Sequence, residues 1–168
     1  MFSTFKNIFK VKELRKKVLF VLAMMVVYRL GAHIPVPGVD VGILQERLFQ
    51  GSSGGVLDYL DLFAGGALRN FTIFAMSITP YITASIILNL LTVVIPKLEE
   101  LSKQGAEGRK KIAQYTRYGT IVLAVIQGIG ITSYINRFGA IPNPTYFDLF
   151  IIVVTLTAGT AFLMWLGE

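Results

Sequence analysis

A catalytic reading finds little to build on in these 168 residues. The single histidine, His33, lies near the end of a long apolar run, and no interior carboxylate is spaced to serve it. It is read as a structural group at a helix end, not as a general base. Gly51-Ser52-Ser53-Gly54 superficially resembles a nucleophilic serine turn, but it sits in a Gly/Ser connection outside the apolar runs, none of which has a histidine in its middle. A flexible linker accounts for it better. No glycine-rich phosphate loop precedes a helix, and no His, Asp or Glu set has metal-ligand spacing. With no cysteine, disulfides and thiolate metal sites are excluded. The expectation is a protein that is not an enzyme, with no catalytic residue, no metal and no cofactor.

The residues that could do physical work are polar or branched groups inside apolar runs. Arg29 lies about two-thirds along the first run, where an unpaired charge costs up to ~3 kcal/mol. It either snorkels to the headgroups or pairs with an acid such as Asp40. Ser85, Asn89 and Thr92 share one helix face by their spacing, and Gln127 lies in the middle of another run. Such amides and hydroxyls are interhelical glue, or a weak seam between helices that must part; the sequence leaves both open. Ile78 and Ile82 stand one helical turn apart with Pro80 between them, where the missing amide loosens a helix. Paired isoleucines ordinarily face lipid or core. A constriction that excludes water by dewetting requires the same residue type.

The elements that must position these groups are apolar runs at Val18–Ile34, Phe71–Ile95, Tyr118–Ile135 and Phe147–Leu166. Each has about 17 to 25 residues, enough to cross a bilayer as a helix. With 54% hydrophobic residues arranged in such runs, the balance would be unusual for a soluble domain. The first run lacks a small-residue cleavage site and ends at Pro35 and Pro37, so it is read as retained. The net charge of +6 is concentrated before the first run and between the second and third, where Arg109, Lys110 and Lys111 lie. That distribution places the N-terminus and the 97–117 loop in the cytoplasm, and argues for topology anchors and anionic lipids instead of specific nucleic acid.

The expected organisation is a basic amphipathic segment (1–17), a first span (18–35), an external loop (36–55) and a short segment (56–70). A second span (71–96), the basic loop (97–117), a third span (118–135), a second external loop (136–146) and a fourth span (147–166) follow. The 56–70 segment is too short and too charged to cross, with Asp58 and Asp61 close together and Gly65-Gly66 breaking it. Chain without continuous helix at membrane depth is tolerated only inside protein or along a water-filled cavity. A channel or transporter with something folded into its mouth is the implied class. Four helices are few for such a cavity, so the chain is expected to be part of a larger polypeptide or assembly.

The stretches YRLGAHIPVPGVD (28–40), LFAGGAL (62–68), FAMSITPYITASIILNLLTVV (74–94), EGRKKIAQYTRYGT (107–120) and GTAFLMWLGE (159–168) closely resemble the SecY family, the central subunit of the bacterial preprotein translocase. The resemblance runs in order across nearly the whole chain and covers the first four of that family's ten transmembrane helices. It implies an all-α integral membrane protein: four transmembrane helices and a short re-entrant plug helix, the N-terminal half of a pseudo-symmetric channel. It implies a plug around Leu57, Leu60, Asp61, Phe63, Gly65, Gly66 and Leu68. Ile78 and Ile82 would belong to the pore ring, and Thr83, Asn89 and Gln127 to the polar lateral gate, with Asn89 where glutamine is expected. The implied function is Sec-dependent passage of unfolded preproteins, with apolar segments leaving sideways into the bacterial cytoplasmic (inner) membrane. The implied partners are SecE, SecG, the SecA motor, the ribosome and signal-sequence-bearing preproteins. Half of a secondary transporter is the competing class, but it calls for an acidic or otherwise ion-binding residue in the middle of a span, and no span has an Asp or Glu in its interior. A non-conducting scaffold would have no use for a plug.

Overall fold

The computed structural model describes residues 12–49, 59, 62, 65–137, 139–142 and 144–168. Among these the regular elements are all helical: α1 (Lys12–Gly31), α2 (Val41–Phe49), α3 (Thr79–Val94), α4 (Pro96–Lys103), α5 (Ala106–Arg137) and α6 (Tyr146–Gly167). Helices α5 and α6, of 32 and 22 residues, are each long and apolar enough to cross a membrane. The pair α3 and α4, bent by 101° at Ile95, makes a third candidate. The bend follows from Pro96, which pushes the preceding residue out of the helical region, and Ile95 is extended (ψ 114°). Helix α1 begins with Lys12, Glu13, Arg15, Lys16 and Lys17, so it is apolar only from Val18 onward.

Three sequence boundaries are redrawn. The first apolar run is helical only to Gly31 and continues as turns and extended chain through Val36. The external loop contains α2, which is capped at its start by Asp40: Oδ1 accepts the amides of Gly42 (2.9 Å) and Ile43 (3.2 Å). Arg29 therefore does not take Asp40 as partner; its Nη1 donates to the Gly65 carbonyl at 3.4 Å. The basic 97–117 loop is largely helical, as α4 and the first turns of α5. At ~1.5 Å per residue α5 is about 48 Å long, well beyond a core of ~30 Å, which lets its charged start stand clear of the membrane.

The largest departure concerns residues 71–78, expected as the first two turns of the second span. They form consecutive turns, and the helix starts at Thr79. Pro80 is the reason. It occupies the first turn of α3, where its missing amide costs nothing, while its ring would collide with the Met76 carbonyl in any helix extended backwards. Pro80 thus starts a helix and does not loosen the middle of one. The freed backbone pairs with the chain after α1: Val36 donates to the Phe71 carbonyl (3.0 Å) and Ile73 to the Ile34 carbonyl (3.1 Å). This non-helical stretch is deeply buried, with Ala67, Phe71, Thr72 and Phe74 each no more than 2% exposed.

Two apolar clusters hold it. One joins Val36, Leu44, Phe71, Ala75 and Met76 to Ala124 and Ile135 of α5, to Ala140 and Ile141, and to Ile152 and Leu156 of α6. The other centres on Phe74, which stacks on Tyr28 of α1 (centroids 5.7 Å apart) and on Phe162 of α6 (6.0 Å). Close approach is possible because two helices present no side chain there. A Cβ at Gly31 would run into the Phe74 ring, and one at Gly159 into the Ile73 carbonyl oxygen.

Helices α5 and α6 meet through small residues. The buried face of α5 carries Thr116, Thr120, Ala124, Gly128 and Thr132 at a four-residue repeat. The threonine hydroxyls are satisfied within their own helix; Thr120 and Thr132 donate to the carbonyls of Thr116 and Gly128, both at 2.7 Å. Thr160 of α6 is buried too, but its hydroxyl has no partner among the described residues.

Candidate functional site

Helix α3 is two-faced. Pro80 and Ala84 are buried on the side packed against α5, while Ile78, Ile82 and Ile86 are 45%, 47% and 54% exposed on the other. Ile78 caps the helix and Ile82 completes its first turn, the Ile82 amide donating to the Ile78 carbonyl at 3.1 Å. The two side chains therefore project together from a face without a packing partner among the described residues, at the point where the turn segment becomes helix. Directly before them Ser77 holds φ at +51°, a region that L side chains seldom adopt. Phe71 does the same at +42°, so the approach to α3 is bounded by two strained residues.

The polar gate candidates are not assembled. Thr83 spends its hydroxyl proton on the Thr79 main-chain carbonyl (3.0 Å), and the Thr92 hydroxyl donates to the main-chain carbonyl of Asn89 (2.6 Å). Among the described residues no hydrogen bond links Thr83, Asn89 and Gln127. Helices α3 and α5 run antiparallel, Ala84 meeting Gly119 while Ala75 and Met76 share a cluster with Ala124 and Ile135. From the Ala84 level, Asn89 lies about 8 Å toward one end and Gln127 about 12 Å toward the other. Asn89 is exposed, Gln127 half-buried.

Of the plug candidates, Leu57, Leu60, Asp61 and Phe63 lie outside the described residues. Gly65 and Gly66 turn the chain with φ of +62° and +83°, and Leu68 is half-buried against both apolar clusters. Arg109, Lys110 and Lys111 stand exposed on the first turns of α5. His33 has the structural role expected: Nδ1 donates to the Arg29 carbonyl at 2.7 Å, closing the end of α1.

The sequence reading did not single out Phe74 or the Arg117–Glu168 pair. Phe74 links three elements far apart in the chain, which no local periodicity signals. The guanidinium of Arg117 grips the Glu168 carboxylate through two nitrogens, Nε to Oε1 at 2.8 Å and Nη2 to Oε2 at 2.7 Å. That pair ties the charged part of α5 to the end of α6 across 51 positions, which only the helix packing brings together.

Residues 72–168 match a family model described as SecY. The chain belongs to the SecY family. It is 51% identical to the protein translocase subunit SecY of Streptomyces griseus, over all of this chain and 41% of the relative. It is 53% identical to that of Halalkalibacterium halodurans, over all of this chain and 39% of the relative. Against that of Escherichia coli it is 48% identical, over 93% of this chain and 36% of the relative. The chain spans about two-fifths of the length of these curated SecY relatives. Family membership, the all-helical architecture and the apolar helices α5 and α6 make it a membrane protein.

Proposed function

We propose that these residues form one wall of a protein-conducting channel through which unfolded, signal-sequence-bearing preproteins cross the bacterial cytoplasmic membrane, with the N-terminus in the cytoplasm. The observation that carries this reading is the open face of α3, where Ile78 and Ile82 project one turn apart from a helix otherwise packed against α5 and α6. Two branched apolar side chains on adjacent turns of one face narrow a pore and repel water, so a closed channel holds ions back without a charged barrier. A passing polypeptide displaces them by rotamer changes instead of breaking bonds. The family relationship, with relatives named protein translocase subunit, supports the same reading.

In this proposal the Leu57–Leu68 segment is the plug and leads into the buried turns that support Ile78. Helices α3 and α5 border the lateral gate. The separated side chains Thr83, Asn89 and Gln127 leave that border short of cross-helix hydrogen bonds, which favours opening. Arg109, Lys110 and Lys111 face the cytoplasm, where anionic lipid is the first partner their charge selects. SecE, SecG, the SecA motor and the ribosome are the proposed protein partners of the whole polypeptide.

The test uses a cysteine at position 82, made clean by the absence of native cysteine from these residues. In the whole polypeptide, Ile82→Cys should form a substrate-dependent cross-link to an arrested preprotein. Reaction with lipid-soluble thiol reagents and no preprotein adduct would show that α3 turns this face to the bilayer, and the proposal would fail.

A further inference from the structure

The groove between α5 and α6, on the surface bounded by Val125, Phe150 and Val153, has no role in the reading above. It is lined in two adjoining stretches, of about 510 and 320 Å³, that share those three residues. From Arg137 at one end to Ile121 at the other it follows α5 for 16 positions, about 24 Å. Its walls are almost wholly apolar except at one end, where Ser133, Asn136 and Arg137 lie together. Arg137 has no ion-pair partner among the described residues. The acid at the start of α6, Asp148, is engaged instead, accepting the Thr145 amide in a capping box.

The geometry points to a bound phospholipid with an anionic headgroup, its phosphate at Arg137, Asn136 and Ser133 and one acyl chain along Val125, Phe150 and Val153. Three features select that occupant. The groove is longer than one leaflet of a ~30 Å core, so a whole acyl chain fits along it. Its volume is that of a small-ligand site and not of a helix ~10 Å across. A guanidinium with neighbouring donors, at the end of an apolar groove between membrane helices, matches a phosphate joined to a hydrocarbon tail. This inference rests on the membrane placement of α5 and α6 and not on the channel reading, so either can fail without the other.

The experiment places a fluorescent reporter in the groove of the whole polypeptide, with Phe150→Trp as the only tryptophan and every native tryptophan, Trp165 among them, replaced by phenylalanine. The protein is reconstituted in phosphatidylcholine vesicles containing either acyl-brominated phosphatidylglycerol or acyl-brominated phosphatidylcholine at the same mole fraction. Quenching should report about fivefold tighter association of the anionic lipid, the preference expected of one cation beside an anionic headgroup. Arg137→Gln should bring the two lipids level, and Arg137→Lys should keep most of the difference. Equal quenching by both lipids would mean ordinary boundary lipid and overturn the inference. Quenching by neither would mean that protein covers the groove, and would overturn it equally. Because Phe150 and Arg137 are both exposed, these substitutions leave the helix packing intact.

Discussion

Replacing Gly159 by alanine tests the packing that holds the start of α3. In a membrane helix this exchange is ordinarily favourable, alanine being the better helix former by ~1 kcal/mol. Here the added methyl meets the backbone carbonyl of Ile73 and approaches the Phe74 ring to 3.4 Å. A backbone atom cannot rotate away, so α6 and the 71–78 turns must separate. Overpacking of this kind costs about 1–3 kcal/mol. Separation also disturbs the stacks of Phe74 on Tyr28 and Phe162, worth a further ~1 kcal/mol. Set against the propensity gain, the net loss is about 1–3 kcal/mol. Gly130 of α5 is the control, since a Cβ there meets nothing within 4 Å and the propensity gain should appear alone. For the whole polypeptide in mild detergent, thermal unfolding followed by intrinsic fluorescence should give a midpoint lower by roughly 2–6 °C for Gly159→Ala. Gly130→Ala should match or exceed the parent. A Gly159→Ala midpoint at or above that of Gly130→Ala would refute the close approach of α6 to Ile73, and with it the account of how Ile78 is positioned.

Thr160 offers the opposite sign. Its buried hydroxyl lacks a partner, so Thr160→Val should stabilise by up to ~1 kcal/mol, whereas Thr120→Val, which removes a hydroxyl bonded to Thr116, should bring no gain. A marked loss in thermal midpoint for Thr160→Val would show that the hydroxyl is bonded after all. Arg117→Gln should lower the thermal midpoint only slightly, because the Arg117 and Glu168 side chains are 44% and 29% exposed, and the difference from the parent should shrink in high salt. A loss that persists undiminished at 1 M salt would contradict a solvent-screened pair.

What the sequence could determine was whatever depends on runs and near neighbours. Lengths of apolar residues located α5, α6 and the body of α3, because crossing a membrane is a matter of contiguous hydrophobicity. The one-turn spacing of Ile78 and Ile82 put them on a common face, and their order along the chain with the other family motifs identified the family. Local rules failed where distant groups compete for the same backbone. Residues 71–78 are apolar enough to continue a helix, yet the Phe71 carbonyl and the Ile73 amide are claimed by Val36 and Ile34, and Pro80 fixes where the helix begins. Asp40 was a plausible partner for Arg29 by charge alone, but the amides at the start of α2 take its carboxylate. The relative heights of Thr83, Asn89 and Gln127 are likewise a matter of helix register, which the antiparallel packing of α3 on α5 sets. Hydrophobic length and turn spacing are written residue by residue. Which backbone pairs with which, and at what level two helices meet, is settled only when all the elements exclude one another's space.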